Sequence, residues 1–377
     1  MVTRTGLVLS KGENWRVARL ESDGTLTPLV ELETETFPYS AWGWLEHDPV
    51  SGRLWLLTTE FDHGLDVAVP SRLYHYDASG ALEWMTELEG YVRPVVGTNL
   101  HFDAAEGALY LAMSLDAGPP EEPDYPWGVP RTLVLERRDE AGAVVWARSD
   151  YENSDGELSS ARLVGISDGA LVMIATPPLI DWGPSYPLSV DPETGASLWT
   201  DGEGSEDIRI AVSDTRAYVS TVYSARFDIE RPDPVQLEPA RSALSVHVPP
   251  TGVELAREQL EWVPLQWRPH SGHGESIAFG RMGSRVVSVL DTAHASGIAV
   301  YDSEGTALCQ SELDASDIAG LEWAPGLQIL RVGFGVGIEG GERFVTTATL
   351  GVYEENEESE RHHGLLIVEP PPEDFEL

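Results

Sequence analysis

Apolar and polar positions alternate along this chain in short runs, and the runs come in a fixed order. A compact apolar run such as "RLWLLTTE" (53–60), "ALYLAMSL" (108–115), "ALVMIA" (170–175), "AYVSTVYS" (217–224) or "RVVSVLD" (285–291) stands behind a shorter one, for example "NLHFD", "ARLVGIS" or "IRIAVS". Each pair is followed by an alternating run, a tight turn and a second alternating run, as in "SVDPETGASLWT" (189–200). Runs of this length and alternation predict strands. No helical periodicity of useful length occurs, which argues against an α/β arrangement.

The turn-bearing unit recurs. "LYHYDASGALEWMTEL" surrounds Gly80, "LVLERRDEAGAVVWARS" Gly142, "LSVHVPPTGVELAREQL" Gly252, "IAVYDSEGTALCQSEL" Gly305 and "WRVARLESDGTLTPLVEL" Gly24, with a weaker copy, "LGVYEENEESERHHGLLIVEP", at Gly364. The glycines at 24, 80, 142, 195, 252, 305 and 364 are 56, 62, 53, 57, 53 and 59 residues apart, a period that marks a radial or solenoid array. Glycine supplies the positive φ of the hairpin turn. Four residues past each glycine comes a docking position, held by Trp84, Trp146 and Trp199, then by Ala256, Cys309, Val368 and Pro28. The three tryptophans are expected to wedge one sheet against the next.

Four strands per period is one blade of a β-propeller. The prediction is a single all-β domain over 1–377, a seven-bladed propeller of four-stranded antiparallel blades near 1–36, 37–90, 91–151, 152–203, 204–261, 262–314 and 315–377. Six blades, with the first or last copy vestigial, or eight fit less well. The first blade is short, leaving "GLVLS" and "WRVARLES" to pair beside "TPLVELE", and ring closure by the two chain ends would remove bare sheet edges.

The pattern in "VDPETGASLW" resembles the repeat of the pyrroloquinoline-quinone-type propellers, the quinoprotein dehydrogenase-like superfamily: Asp, then Thr/Ser-Gly, then Trp four places on. The periodicity covers the whole chain; the copies around Gly80, Gly142 and Gly195 keep the Trp. The resemblance implies the fold, and many such propellers serve as scaffolds without cofactor. Its dehydrogenases commonly use a vicinal cysteine pair, a calcium held by carboxylate and amide, and a basic aspartate. Cys309 is the only cysteine here, so no quinone cofactor is expected.

Composition narrows the partners. Sixty-three acidic residues face 24 basic ones, of which Lys11 is the only lysine, for a net charge of −39. Such a field repels phosphate backbones, so nucleic acid and anionic membrane are poor partners. Cys309, in "TALCQSEL", is expected to be a small buried hydrophobe. The first residues, "MVTRTGLVLSKGENW", lack the apolar stretch of a secretion signal, and no stretch approaches a membrane span. A cytoplasmic location is expected as written, an extracytoplasmic one if a leader has been removed.

Long connections carry the candidate chemistry. "DAGPPEEPDYPWGVP" (116–130), "TPPLIDWGPSYP" (176–187) and "ARFDIERPDPVQLEPARS" (225–242) join second to third strands, and "ETETFPYSAW" (33–42), "DYENSDGELSS" (150–160) and "EWVPLQWRPHSGHG" (261–274) join successive blades on the same face. They hold Tyr125, Trp127, Trp182, Tyr186, Trp262 and Trp267 among acids such as Glu121, Glu122 and Asp124, a composition suited to a protein or carbohydrate partner, basic if the field selects it. A monomeric, non-catalytic binding scaffold is the leading expectation. The alternative is a calcium-dependent lactonase-type hydrolase at the channel mouth. For it, Asp62, Asp116, Asp181, Asp228 and Asp291 recur at or just after the second strand run, and oxygen ligands suit calcium. Aspartate also favours strand ends for turn reasons alone. His270 and His273 with His101 and His294 would make a zinc site only if they converge, and "RHHG" (361–364) reads as a solvated turn. No nucleophile elbow, phosphate loop or dinucleotide fingerprint appears.

Overall fold

The computed structural model describes residues 7–11, 14–20, 25–32, 40–48, 50–62, 67–88, 99–116, 131–153, 156–177, 185–200, 208–223, 226–228, 235–238, 240–262, 276–291, 296–312, 327–332, 336–337, 344–354 and 357–368. All regular structure among them is strand. The first sheet is β1 (Leu7–Lys11), β2 (Trp15–Leu20) and β3 (Leu26–Leu32), paired as expected from its short sequence. The second is β4 (Ser40–His47), β5 (Leu54–Asp62), β6 (Val67–Tyr76) and β7 (Leu82–Glu87). The third is β8 (Leu100–Asp103), β9 (Ala108–Asp116), β10 (Arg131–Arg138) and β11 (Val144–Arg148). A ribbon of β12 (Glu152–Asn153) and β13 (Gly156–Glu157) leads to the fourth: β14 (Ser160–Ser167), β15 (Ala170–Thr176), β16 (Tyr186–Val190) and β17 (Ser197–Thr200).

The fifth sheet has β18 (Ile208–Val212) and β19 (Ala217–Tyr223), then a side ribbon of β20 (Arg226–Asp228) and β21 (Val235–Glu238), before β22 (Ala240–Val248) and β23 (Val253–Trp262) complete it. The sixth is β24 (Ser276–Met282), β25 (Arg285–Asp291), β26 (Ser296–Tyr301) and β27 (Ala307–Glu312). In the last, β28 (Leu327–Val332) and β29 (Val336–Gly337) pair with different stretches of β30 (Phe344–Glu354), and β31 (Glu357–Val368) pairs along it. All pairings are antiparallel and each complete sheet runs in chain order, the blade construction of a β-propeller.

The chain forms two compact units, Met1–Glu206 with Pro249–Gly252, and Asp207–Val248 with Val253–Leu377. In the first unit, strand parity decides which neighbour each side chain meets. Leu54 and Leu56 join Leu7, Leu9 and Val17 of the first sheet, whereas Trp55 and Leu57 join Leu100, Phe102 and Leu109 of the third. Along β9, Leu109, Leu111 and Met113 face the second sheet, and Ala108, Tyr110 and Ala112 face the fourth. Both faces of the sheet are therefore buried, and this is why the second-strand runs read as almost unbroken apolar stretches. In the second unit, Ala211, Tyr218, Leu244 and Val246 of the fifth sheet bury themselves with Phe279, Val286, Ala299 and Tyr301 of the sixth.

The turns at Gly80, Gly142 and Gly305 close alike, and that at Gly195 is one residue longer. In the Gly142 turn, Asp139 N donates to Ala143 O at 3.0 Å and Gly142 N to Asp139 O at 2.9 Å, with a bulge between Arg137 and Arg138. Gly142 has φ +82 and Gly195 φ +70, a conformation that a side chain rarely adopts. The tryptophan four residues past one turn glycine lies over the turn glycine of the next sheet. A Cβ on Gly142 would stand 2.9 Å from Cη2 of Trp84, one on Gly195 2.8 Å from Cζ3 of Trp146, and one on Gly252 would run into the Trp199 indole. Trp146 Nε1 also donates to Pro192 O at 3.1 Å, and the buried Tyr151 hydroxyl to Gly195 O at 2.8 Å. Burial raises the pKa of that phenol.

Where the docking residue is small, another group fills the place. Ala256 pairs with Val246, whose Cγ2 would be 2.6 Å from a Cβ on Gly305. At Gly80 the main-chain oxygen of Leu29, the residue after Pro28 on β3, and Cγ2 of Val30 take that place. In the first seam Trp15 covers Gly43 instead.

Two expectations are corrected. Cys309 is exposed, because it lies on β27, the outermost strand of its sheet, opposite Val300. Gly364 is no turn residue and "RHHG" no turn: His362, His363 and Gly364 lie within β31, paired with Leu350, Thr349 and Ala348, and the reversal falls between Glu354 and Glu357. The acidic stretch before Gly364 extends the hairpin rather than interrupting it.

Trp146→Ala is expected to cost about 3 kcal/mol or more in chemical unfolding, through the cavity it opens. Gly195→Ala should destabilise the wild type and cost measurably less in the Trp146→Ala background, where the indole clash is gone and the φ strain and the close Arg148 side chain remain. Additive losses in that double-mutant cycle would mean that the indole and the glycine do not share one contact.

Candidate functional site

The long connections leave the first unit's sheets at one end. Ser114, near the end of β9, donates through Oγ to Ser159 O at 2.7 Å, and Ser159 Oγ donates to Thr176 O at 3.1 Å. The end of β9, the start of β14 and the end of β15 are thus neighbours. Segments 117–130 and 177–185 both span from this end, since β10 begins opposite Asp116 and β16 begins at Tyr186.

A buried polar layer underlies it. Ser71 Oγ meets Thr59 Oγ1 at 2.9 Å within the second sheet. Asn99, just ahead of β8, is 2 % exposed; its Nδ2 donates to Ala112 O at 2.8 Å and to Ala161 O at 3.4 Å, tying the third sheet to the fourth. Its Oδ1 is buried without a hydrogen-bond partner among the described residues. Sequence reasoning missed Asn99, Ser114 and Ser159. The signal was a small polar residue at the entry to the first strand of successive repeats, as in "TNLHFD" and "LSSARL".

Asp62, Asp116 and Asp291 are the last residues of the second strands β5, β9 and β25, three equivalent places; their side chains lie outside the described residues. Asp228 instead closes the side ribbon, opposite Val235, because the fifth sheet's second strand already ends at Tyr223. Asp181 lies outside the described residues, as do Tyr125, Trp127, Trp182, Trp267, His270, His273 and His294. Trp262 ends β23, opposite Ala240. Tyr186 opens β16 and is buried, with 2 % of its surface exposed, so it anchors the return of segment 177–185. Among the described residues no three His, Cys, Asp or Glu side chains gather to hold a metal, and no helix is long and apolar enough to cross a membrane.

The opposite end is built of short acidic turns. The Ser79 hydroxyl and then the Ala81 amide hold the Asp77 carboxyl below the usual carboxylate range. Asp302 accepts from the Glu304 and Thr306 amides at 2.9 Å each. These aspartates are consumed by their own turns.

No protein-family model matches the chain, and none of the curated proteins matches it. Solved structures are similar at low identity. A periplasmic gluconolactonase of Pseudomonas aeruginosa is 13% identical with a TM-score of 0.48, over 97% of this chain and 99% of that one. A calcium-binding protein, regucalcin, of Agrobacterium tumefaciens is 15% identical with a TM-score of 0.37, over 86% of each chain. A prolyl endopeptidase is 12% identical with a TM-score of 0.49, over 98% of this chain, which spans 51% of that one. Likeness of this size transfers no substrate, metal or partner.

Asn99→Ala removes the two bridging donors and should lower stability by about 1–3 kcal/mol. The check is urea unfolding beside Ser10→Ala, a control on an exposed position of β1 that should stay within about 0.5 kcal/mol of wild type.

Proposed function

We propose that the chain is a non-catalytic binding platform that engages a protein or carbohydrate partner through its long-loop end. The observation that carries this reading is the shared departure of segments 117–130 and 177–185 from two sheets packed face to face. Tyr125 and Trp127 lie on the first segment and Trp182 on the second, with Glu121, Glu122 and Asp124 nearby in sequence. Aromatics on loops that start from packed sheets are how a scaffold presents large contact area at little entropic cost. Trp262 and Trp267 extend the same composition in the connection after β23. A net charge of −39 favours a basic partner and makes its association salt-dependent.

The second reading is a calcium-dependent hydrolase. The equivalent placement of Asp62, Asp116 and Asp291 at three second-strand ends supports it. Aspartate at a strand end also serves a turn, so the scaffold reading stands first.

With a partner captured by pull-down or a glycan array, Trp127→Ala and Trp182→Ala should each weaken binding about tenfold or more at unchanged melting temperature. Glu193→Ala, in the opposite turn, should leave it intact; weakening by the control alone would place the partner at the wrong end. Metal analysis decides the second reading: calcium in stoichiometric amount, lost on Asp116→Ala or Asp181→Ala, would favour the hydrolase over the scaffold.

A further inference from the structure

His75 stands in an unusual place for an imidazole. It lies on β6, 2 % exposed, with its ring between Trp55, centroids 4.8 Å apart, and Trp84, 5.1 Å apart. Trp55 in turn stacks on Phe102 of the third sheet at 4.0 Å. The pile therefore runs across the second sheet and ends at Trp84, the indole that covers Gly142.

We propose that His75 makes the seam between the second and third sheets acid-sensitive: a proton taken up by its ring weakens the hold of Trp84 on Gly142.

The surroundings accept a neutral ring better than a charged one. Nε2 is buried and has no hydrogen-bond partner among the described residues, so a proton placed there would be stranded beside aromatic carbons. Nδ1 stands 3.1 Å from Oε2 of Glu83 on β7, in ion-pair range but without hydrogen-bond alignment, and that side chain is 42 % exposed. Three other charges face the ring: Arg53 at the entry to β5, Glu140 from the third sheet's turn, and Asp77 from its own hairpin. Arg53 opposes protonation while Glu140 and Asp77 favour it, and Arg53 is itself bound to Glu140 at 3.0 Å, across the same seam. The indole faces favour a cation, but exposed Glu83 and the cation–π contact together do not replace the lost hydration. Burial accordingly draws the imidazole below its ordinary 6.5. The unfolded chain then binds more protons than the folded one between the two values. The stability His75 contributes is thus present above pH 6.5 and is lost as pH falls through the folded value.

Three measurements on the full chain test this. In the wild type, the His75 ring resonance should titrate with a midpoint below 6.5; a midpoint at or above it overturns the proposal. Between about pH 7.5 and 5.5, wild-type melting temperature should fall several degrees more than that of His75→Gln. His75→Phe, which keeps the stack, serves if the glutamine variant does not fold. Parallel curves overturn the proposal. Hydrogen exchange, corrected for its intrinsic pH dependence, should lose protection at Gly142 and Ala143 before Gly195 and Ala196; equal loss at both turns would overturn a local seam effect.

Discussion

An indole laid over the α-carbon of a glycine in the next sheet is the contact on which the first unit depends. It joins two requirements in one residue pair. The hairpin needs glycine for its left-handed turn, and the same missing Cβ leaves the flat space that the neighbouring tryptophan fills. Neither partner can change alone: any side chain at Gly142, Gly195 or Gly252 meets an aromatic ring, and loss of the ring leaves a cavity. The contact repeats from sheet to sheet, so the position of each turn fixes that of the next fourth strand.

The remaining seams show that the volume matters more than the residue type. Val246 and Leu244 approach Gly305, where the docking position itself holds only Ala256. The fourth strands are the outermost of their sheets and keep exposed apolar side chains such as Leu82, Val145 and Leu255, while the inner strands bury both faces. Burial thus falls from the inner strands outward, and the tryptophans sit at the border where a large, partly polar side chain can cover apolar surface and still find an acceptor, as Trp146 does at Pro192.

The two ends of the blades divide the polar chemistry. At the tight-turn end, Asp77, Asp139, Asp191 and Asp302 close their own turns, so acidity there is structural. At the long-loop end, polar atoms reach between sheets: Asn99 to Ala161, Ser114 to Ser159. A buried polar layer at the strand ends from which two aromatic-rich segments start is the setting on which the binding proposal rests.

By itself the sequence determined the strands, their order and the turn glycines, because period-two alternation and the left-handed turn are local properties that a few neighbouring residues settle. The second-strand runs at 53–60, 108–115 and 285–291 coincide closely with β5, β9 and β25 for that reason. The last repeat misled: Gly364 keeps the period but sits inside a long hairpin, where pairing with β30 outweighs the turn preference of one glycine. Only the tertiary structure decided which sheet each side chain meets. Strand parity separates Trp55 from Leu56, but the partner of each is set by the faces that stack. The exposure of Cys309, the bridging by Asn99 and the enclosure of His75 belong to the same class. Each depends on residues far away in the chain, brought together by sheet packing that no local pattern specifies.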